Sequence, residues 1–160
     1  MAAAVISACA STAALGLTGC AATKKPFASF DSPSVLEAKP DVHVRFPTDA
    51  PIVVNFFGSW CDPCKKEMPL LAAAAKAHPG VRFIGADTKD SRTGAADLLA
   101  SAGTGYEAAY DPSGALANAN GVRAFPSTFF LDRKGDVVER VLGELTSARL
   151  DAALARLEAA

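Results

Sequence analysis

Two cysteines two residues apart, Cys61-Asp62-Pro63-Cys64, follow a run that is apolar except at Asn55, Ile52-Val53-Val54-Asn55-Phe56-Phe57. A helix-forming run beginning Lys65-Lys66-Glu67-Met68 follows them. A strand apolar on both phases is covered on both faces, so it belongs in the interior of an α/β sheet. The cysteines therefore sit where a buried strand ends and a helix begins. The first helical turn offers unpaired N–H groups and a partial positive charge. Both favour a thiolate at Cys61 and lower its pKa. One turn brings Cys64 close enough to close a disulfide with Cys61.

The stretch Phe57-Gly58-Ser59-Trp60-Cys61-Asp62-Pro63-Cys64 resembles the active-site segment of the thioredoxin superfamily. Pro69 falls five residues after Cys64, where thioredoxin-like proteins place the proline that kinks the active-site helix. Gly121-Val122-Arg123-Ala124-Phe125-Pro126-Ser127-Thr128-Phe129-Phe130-Leu131-Asp132 resembles the family's cis-proline segment. The chain is most similar to the membrane-tethered TlpA, ResA and CcmG branch, from roughly Ser34 to the C-terminus. The resemblance implies an α/β thioredoxin-like fold, a central mixed β-sheet flanked by helices, with a TlpA-like strand–helix insertion before the cis-proline. It also implies that Pro126 faces the cysteines.

Residues 1–19 contain no charged side chain, are rich in Ala and end in Leu17-Thr18-Gly19-Cys20. That ending resembles a lipobox, and the stretch reads as a lipoprotein signal peptide. It departs from the usual pattern in having no Lys or Arg ahead of the apolar run. Cys9 would be discarded with the signal and Cys20 lipidated, leaving Cys61 and Cys64 as the thiols of the mature domain. One pair at a strand–helix junction is not a disulfide-stapled scaffold; it is available for redox exchange. Residues 20–40, rich in Ala, Ser, Pro and Lys, read as a tether, and residues 41–160 as the thioredoxin-like domain. The expected location is the outer face of the cell membrane, through the lipid.

Within the domain, Val42 to Phe46 alternates as a half-exposed strand, with His43 on the polar phase. Leu70, Leu71 and Ala74 give the helix from about Cys61 to Ala77 an inward stripe, while Lys65 and Lys66 face solvent. His78-Pro79-Gly80 ends it. Strands are expected at Val81–Asp87 and Tyr106–Tyr110, and helices at Gly94–Ala102 and Ala115–Asn120. A hairpin, Ser127–Leu131 with Val137–Leu142, and an amphipathic helix from Thr146 to Glu158 close the domain. Half the residues are hydrophobic, ample for one core, and the net charge of −1 gives no reason to expect nucleic acid as a partner.

The residues assign roles. Cys61 is the nucleophile and Cys64 the resolving thiol. Trp60 shields one side of the pair. Asp62 and Pro63 lie between the cysteines, where the Asp62 carboxylate opposes a thiolate and favours a reducing pair. Phe125 and Pro126 present backbone to an extended substrate segment. Asn55 stands where thioredoxin has a buried Asp and reads as structural. No cofactor, P-loop or metal-ligand cluster is expected. The function implied is an extracytoplasmic thiol–disulfide reductase of protein disulfides, as in apocytochrome c maturation, recharged by a membrane electron-donor thiol protein. Two alternatives remain: an oxidase that forms disulfides in secreted proteins, and a copper-binding dithiol assembly factor. For the last, His43 and His78 are badly placed. No Pro-x-x-x-Thr-x-x-Cys arrangement surrounds Cys61, which argues against a peroxiredoxin.

Overall fold

A computed structural model describes residues 25–160; the expected signal segment, Cys9 and the lipidation residue Cys20 lie outside them. In chain order the elements are β1 (Phe30–Ser32), β2 (Val42–Val44), β3 (Ile52–Phe57), α1 (Asp62–Ala77), β4 (Arg82–Thr88), α2 (Arg92–Ser101), β5 (Glu107–Asp111), α3 (Ala115–Ala119), β6 (Ser127–Leu131), β7 (Val137–Leu142) and α4 (Ser147–Glu158). The main sheet runs β5-β4-β3-β6-β7, and β1 and β2 form a separate antiparallel pair. β3 pairs parallel with β4 and antiparallel with β6, so the sheet is mixed. This is the thioredoxin-like arrangement, with β4, α2, β5 and α3 all placed between α1 and Pro126.

β3 is buried along its whole length, and its period-2 alternation feeds two different layers. Ile52, Val54 and Phe56 point to a cluster with Val42, Val44, Leu116 and Phe129, on the side of the β1–β2 pair and α3. Val53 joins Leu71, Phe130, Leu150 and Leu154 on the side of α1 and α4. Phe57, the last residue of β3, packs with Cys61, Cys64, Met68, Ala95 and Leu99, where α1 and α2 meet. The cysteines are thus bedded in core at the carboxyl end of the central strand. Thr146, not the alternative cap Ser147, caps α4 by accepting from Arg149 N–H. α2 starts two residues before the expected Gly94, because Ser91 caps it by accepting from Gly94 N–H.

The N-terminal boundary differs from the sequence reading. The stretch from Phe27 onward, expected as tether, is folded. Phe27 and Phe30 are both buried, and the Phe27 ring meets Phe129 edge-on at 5.2 Å. Tyr110 N–H donates to Pro33 O and Val35 N–H to Ala108 O, both at 2.8 Å. Residues 33–35 therefore lie along β5 and satisfy the open edge of the sheet. A composition of Ala, Ser, Pro and Lys describes a linker only while its few aromatic residues have nothing to pack against; here the sheet supplies Phe56 and Phe129.

Candidate active site

Cys61 is the N-cap of α1. Its extended backbone (φ −97°, ψ 105°) puts Sγ over the first turn, where it accepts from Cys64 N–H at 3.3 Å. This is the stabilisation of sulfur at a helix end that the sequence predicts. Asp62 and Pro63 begin the helix, and a proline there forfeits no hydrogen bond because early helical N–H groups have no intrahelical partner. Cys61 and Cys64 are joined, with Cα atoms 5.2 Å apart. Cys64 is fully buried and Cys61 is 5 % exposed. Cys61 is the more accessible of the two yet is nearly closed off, because Phe57 and Ala95 and Leu99 of α2 pack around it.

Trp60, 52 % exposed, stands beside the pair and meets Phe125 edge-on at 5.3 Å. Its indole folds back over the loop: a Cβ on Gly58 would lie 2.5 Å from the indole nitrogen, so Gly58 is required by close approach. Phe125 packs against the cluster containing both cysteines. The Phe125–Pro126 bond is cis, and Pro126 O accepts from Gly143 N–H. The structure thus gathers Trp60, Cys61, Cys64, Phe125 and the cis-proline bond, from two segments far apart in sequence.

Asp62, the first residue of α1, points into solvent. Its carboxylate takes a 2.8 Å bond from Lys65 Nζ. That bond, then the Lys65 and Lys66 charges, holds its carboxyl below the usual range. A carboxylate with its own cation one turn away acts only weakly on a neighbouring sulfur. His43 pairs with Asp31, and His78 with Glu158. Among the described residues no group of three or more His, Cys, Asp or Glu could hold a metal ion, and no helix is long and apolar enough to cross a membrane.

Sequence reasoning missed Glu67. It lies three residues beyond Cys64 on the inward face of α1 and is 1 % exposed. Oε1 accepts from Asn55 Nδ2 and Oε2 from Leu145 N–H, each at 2.7 Å. Asn55 Nδ2 also donates to Thr128 Oγ1 at 2.9 Å. Burial pushes the Glu67 carboxyl up to about 7, against the pull of those two bonds. The available signal was positional: in Cys64-Lys65-Lys66-Glu67-Met68, Glu67 falls on the same helical face as Cys64 and Leu71.

A Cys-x-x-Cys disulfide at the start of the helix that follows the central strand, faced by a cis-proline segment, defines a thioredoxin-like dithiol–disulfide protein. The Redoxin family model matches residues 24–154, and the chain belongs to that family. Thiol-disulfide oxidoreductase ResA of Bacillus thuringiensis (strain Al Hakam) is 30% identical over 108 residues, 66% of this chain and 62% of that one. Thiol:disulfide interchange protein DsbE homolog of Paracoccus denitrificans is 38% identical over 94 residues, 58% of this chain and 51% of that one. The chain therefore spans less than two thirds of the length of these curated relatives. The secreted thiol-disulfide isomerase of Corynebacterium glutamicum superposes with a TM-score of 0.70 at 27% identity, covering 82% of this chain and 85% of that one.

Proposed function

We propose that the protein is an extracytoplasmic thiol–disulfide oxidoreductase that reduces disulfides in polypeptides. The observation that carries this reading is the Cys61 sulfur acting as N-cap of α1 above a buried Cys64. In the reduced protein the Cys61 thiolate attacks a partner disulfide. One partner sulfur joins Cys61, and the other leaves as a thiolate and takes up a proton. Cys64 then gives up its proton and attacks Cys61 Sγ, releasing the second partner thiol and closing the Cys61–Cys64 disulfide. Glu67, buried on the same helix face and poised near neutrality, is the group suited to receive the Cys64 proton. A thiol donor must supply two electrons to reset the pair, and a membrane thiol protein is the donor class this reading requires.

Trp60 and Phe125 offer an apolar rim for an extended segment around the partner's cysteine; apocytochrome c is the substrate class the resemblance implies. Attachment to the membrane through lipid on Cys20 is part of the same proposal. Fractionation of wild type against Cys20→Ala tests it, and equal membrane fractions would remove the anchor from the account. For the chemistry, Cys64→Ser is expected to trap a mixed disulfide with a disulfide-bearing polypeptide through Cys61. Trapping by Cys61→Ser but not by Cys64→Ser would reverse the roles. A potential of the pair near −270 mV, the thioredoxin value, supports the reductase; one near −120 mV, the DsbA value, makes the protein an oxidase.

A further inference from the structure

Beside the redox loop lies an acid pair that this mechanism does not use. Asp90, in the β4–α2 connection, accepts from Ser59 N–H and, at 3.0 Å, from Ser59 Oγ. It also accepts from Ser91 N–H at 2.7 Å. Ser59 directly precedes Trp60 and stands two residues before Cys61. α2 is pressed against the same loop: a Cβ on Gly94 would lie 2.6 Å from Ser59 Oγ. One carboxylate thus holds the backbone that carries the attacking sulfur.

Asp87 sits at the carboxyl end of β4, in register with Phe57 of β3 and Tyr110 of β5. It is wholly buried; no N–H or hydroxyl group donates to its carboxyl oxygens, and its protonated carboxyl hydrogen-bonds the Asp90 carboxylate. The charged groups facing it are Asp90, Asp111 of β5 and Arg92 of α2. Asp111 is committed to the N–H groups of Leu116 and Ala117. The Arg92 guanidinium lies over the Tyr110 ring at 4.3 Å and donates to Ser34 O. From β3 the neighbour is apolar. Burial, then the charge of Asp90 and its hydrogen bond with Asp87, then the charge of Asp111, pushes the Asp87 carboxyl up to about 8, with Arg92 acting the other way. Asp90 is desolvated too, yet the bonds from Ser59 and Ser91 keep it below the ordinary carboxylate range.

We propose that Asp90 is a positioning residue for the redox loop, and that Asp87 controls it: a neutral Asp87 leaves Asp90 on Ser59, whereas an ionised Asp87 repels Asp90 and loosens Trp60 and Cys61. Two carboxylates in contact, one of them wholly buried, cannot both ionise without separating or drawing in water. What the brace positions rests on the oxidoreductase reading; the brace itself does not.

Trp60 is the only tryptophan of the chain, so intrinsic fluorescence reports this loop. In the disulfide form, where neither cysteine titrates, a fluorescence step centred at about pH 8 is expected in wild type and in Glu67→Gln. Asp87→Asn removes the step, and Asp90→Asn removes it too, because no carboxylate is left at position 90 for Asp87 to repel. In the reduced protein, Asp90→Asn slows attack of Cys61 on an aromatic disulfide at pH 7 by roughly tenfold, the scale of one lost charge-assisted hydrogen bond. A step that persists in Asp87→Asn or in Asp90→Asn, or its absence from wild type, overturns the control by Asp87. An unchanged attack rate in Asp90→Asn overturns the positioning role. If Asp87→Asn does not fold, Asp90→Asn decides alone. A chain with no redox activity would still show the step, so failure of the oxidoreductase reading is read separately.

Discussion

Single side chains around the disulfide divide by whether their charge is neutralised. Asp62 sits between the cysteines, yet Lys65 meets it at 2.8 Å in open solvent. Asp62→Asn is therefore expected to shift the potential of the pair by less than about 30 mV, the tenfold step of a two-electron couple. Lys65→Ala, which frees the carboxylate, makes the pair more reducing. Equilibration with a glutathione buffer measures both, and a large positive shift in Asp62→Asn would restore the direct tuning role. Glu67 is the opposite case. No cation pairs with its buried carboxyl, so its proton is held by desolvation rather than by a partner. Its neutral ligands, Asn55 and the Leu145 N–H, orient it without charging it.

At the scale of elements, the notable piece is the segment from Phe27 through Val35. It buries two aromatic rings and supplies backbone to the β5 edge. Phe27 lies within 6.4 Å, ring to ring, of each of Phe30, Phe56 and Phe129. Phe27→Ala is expected to lower unfolding stability by about 3–5 kcal/mol, with the redox pair itself unchanged. A urea titration checks this; a loss under about 1 kcal/mol would mean that the segment is only laid on the surface. On the other layer, α1 is anchored by Glu67 to the start of the connection into α4, through Leu145. The redox helix and the C-terminal helix are thereby linked through one carboxyl group.

The whole molecule carries two buried acids whose carboxyls are raised, Glu67 to about 7 and Asp87 to about 8. Between the unfolded value of 4.5 and about 7 the folded state holds the Glu67 proton longer than the unfolded state does. Stability therefore falls as pH rises through that window. At ~1.4 kcal/mol per unit the Glu67 share is about 3 kcal/mol at most. Asp87 adds to the same fall up to about pH 8. Asp31, Asp62 and Asp90 have lowered carboxyls and act the other way, costing stability only in acid. Maximum stability is expected near pH 5. Glu67→Gln flattens the fall between about pH 5 and 7, and melting temperatures across pH test it; a slope identical to wild type would show that the Glu67 proton is not held in the fold.

The sequence by itself determined the strand–cysteine–helix junction, the closing hairpin and the place where α4 begins. Each is a local pattern: an apolar run on both phases in β3, a Thr-Ser pair ahead of α4, two cysteines one helical turn apart. It also placed Phe125-Pro126 in the site through resemblance over a dozen positions. Only the tertiary structure decided what surrounds those patterns. Glu67 is polar on an inward face, and no spacing shows that Asn55 and Leu145 N–H are there to receive it. Asp87 and Asp90 are distant in sequence from the cysteines and meet the redox loop only because β4 lies parallel to β3. Phe27 reads as linker until β6 supplies Phe129 as its partner. Burial and desolvation are set by chain segments far apart, so the charge state of a side chain is a property of the packed molecule and not of its neighbours in sequence.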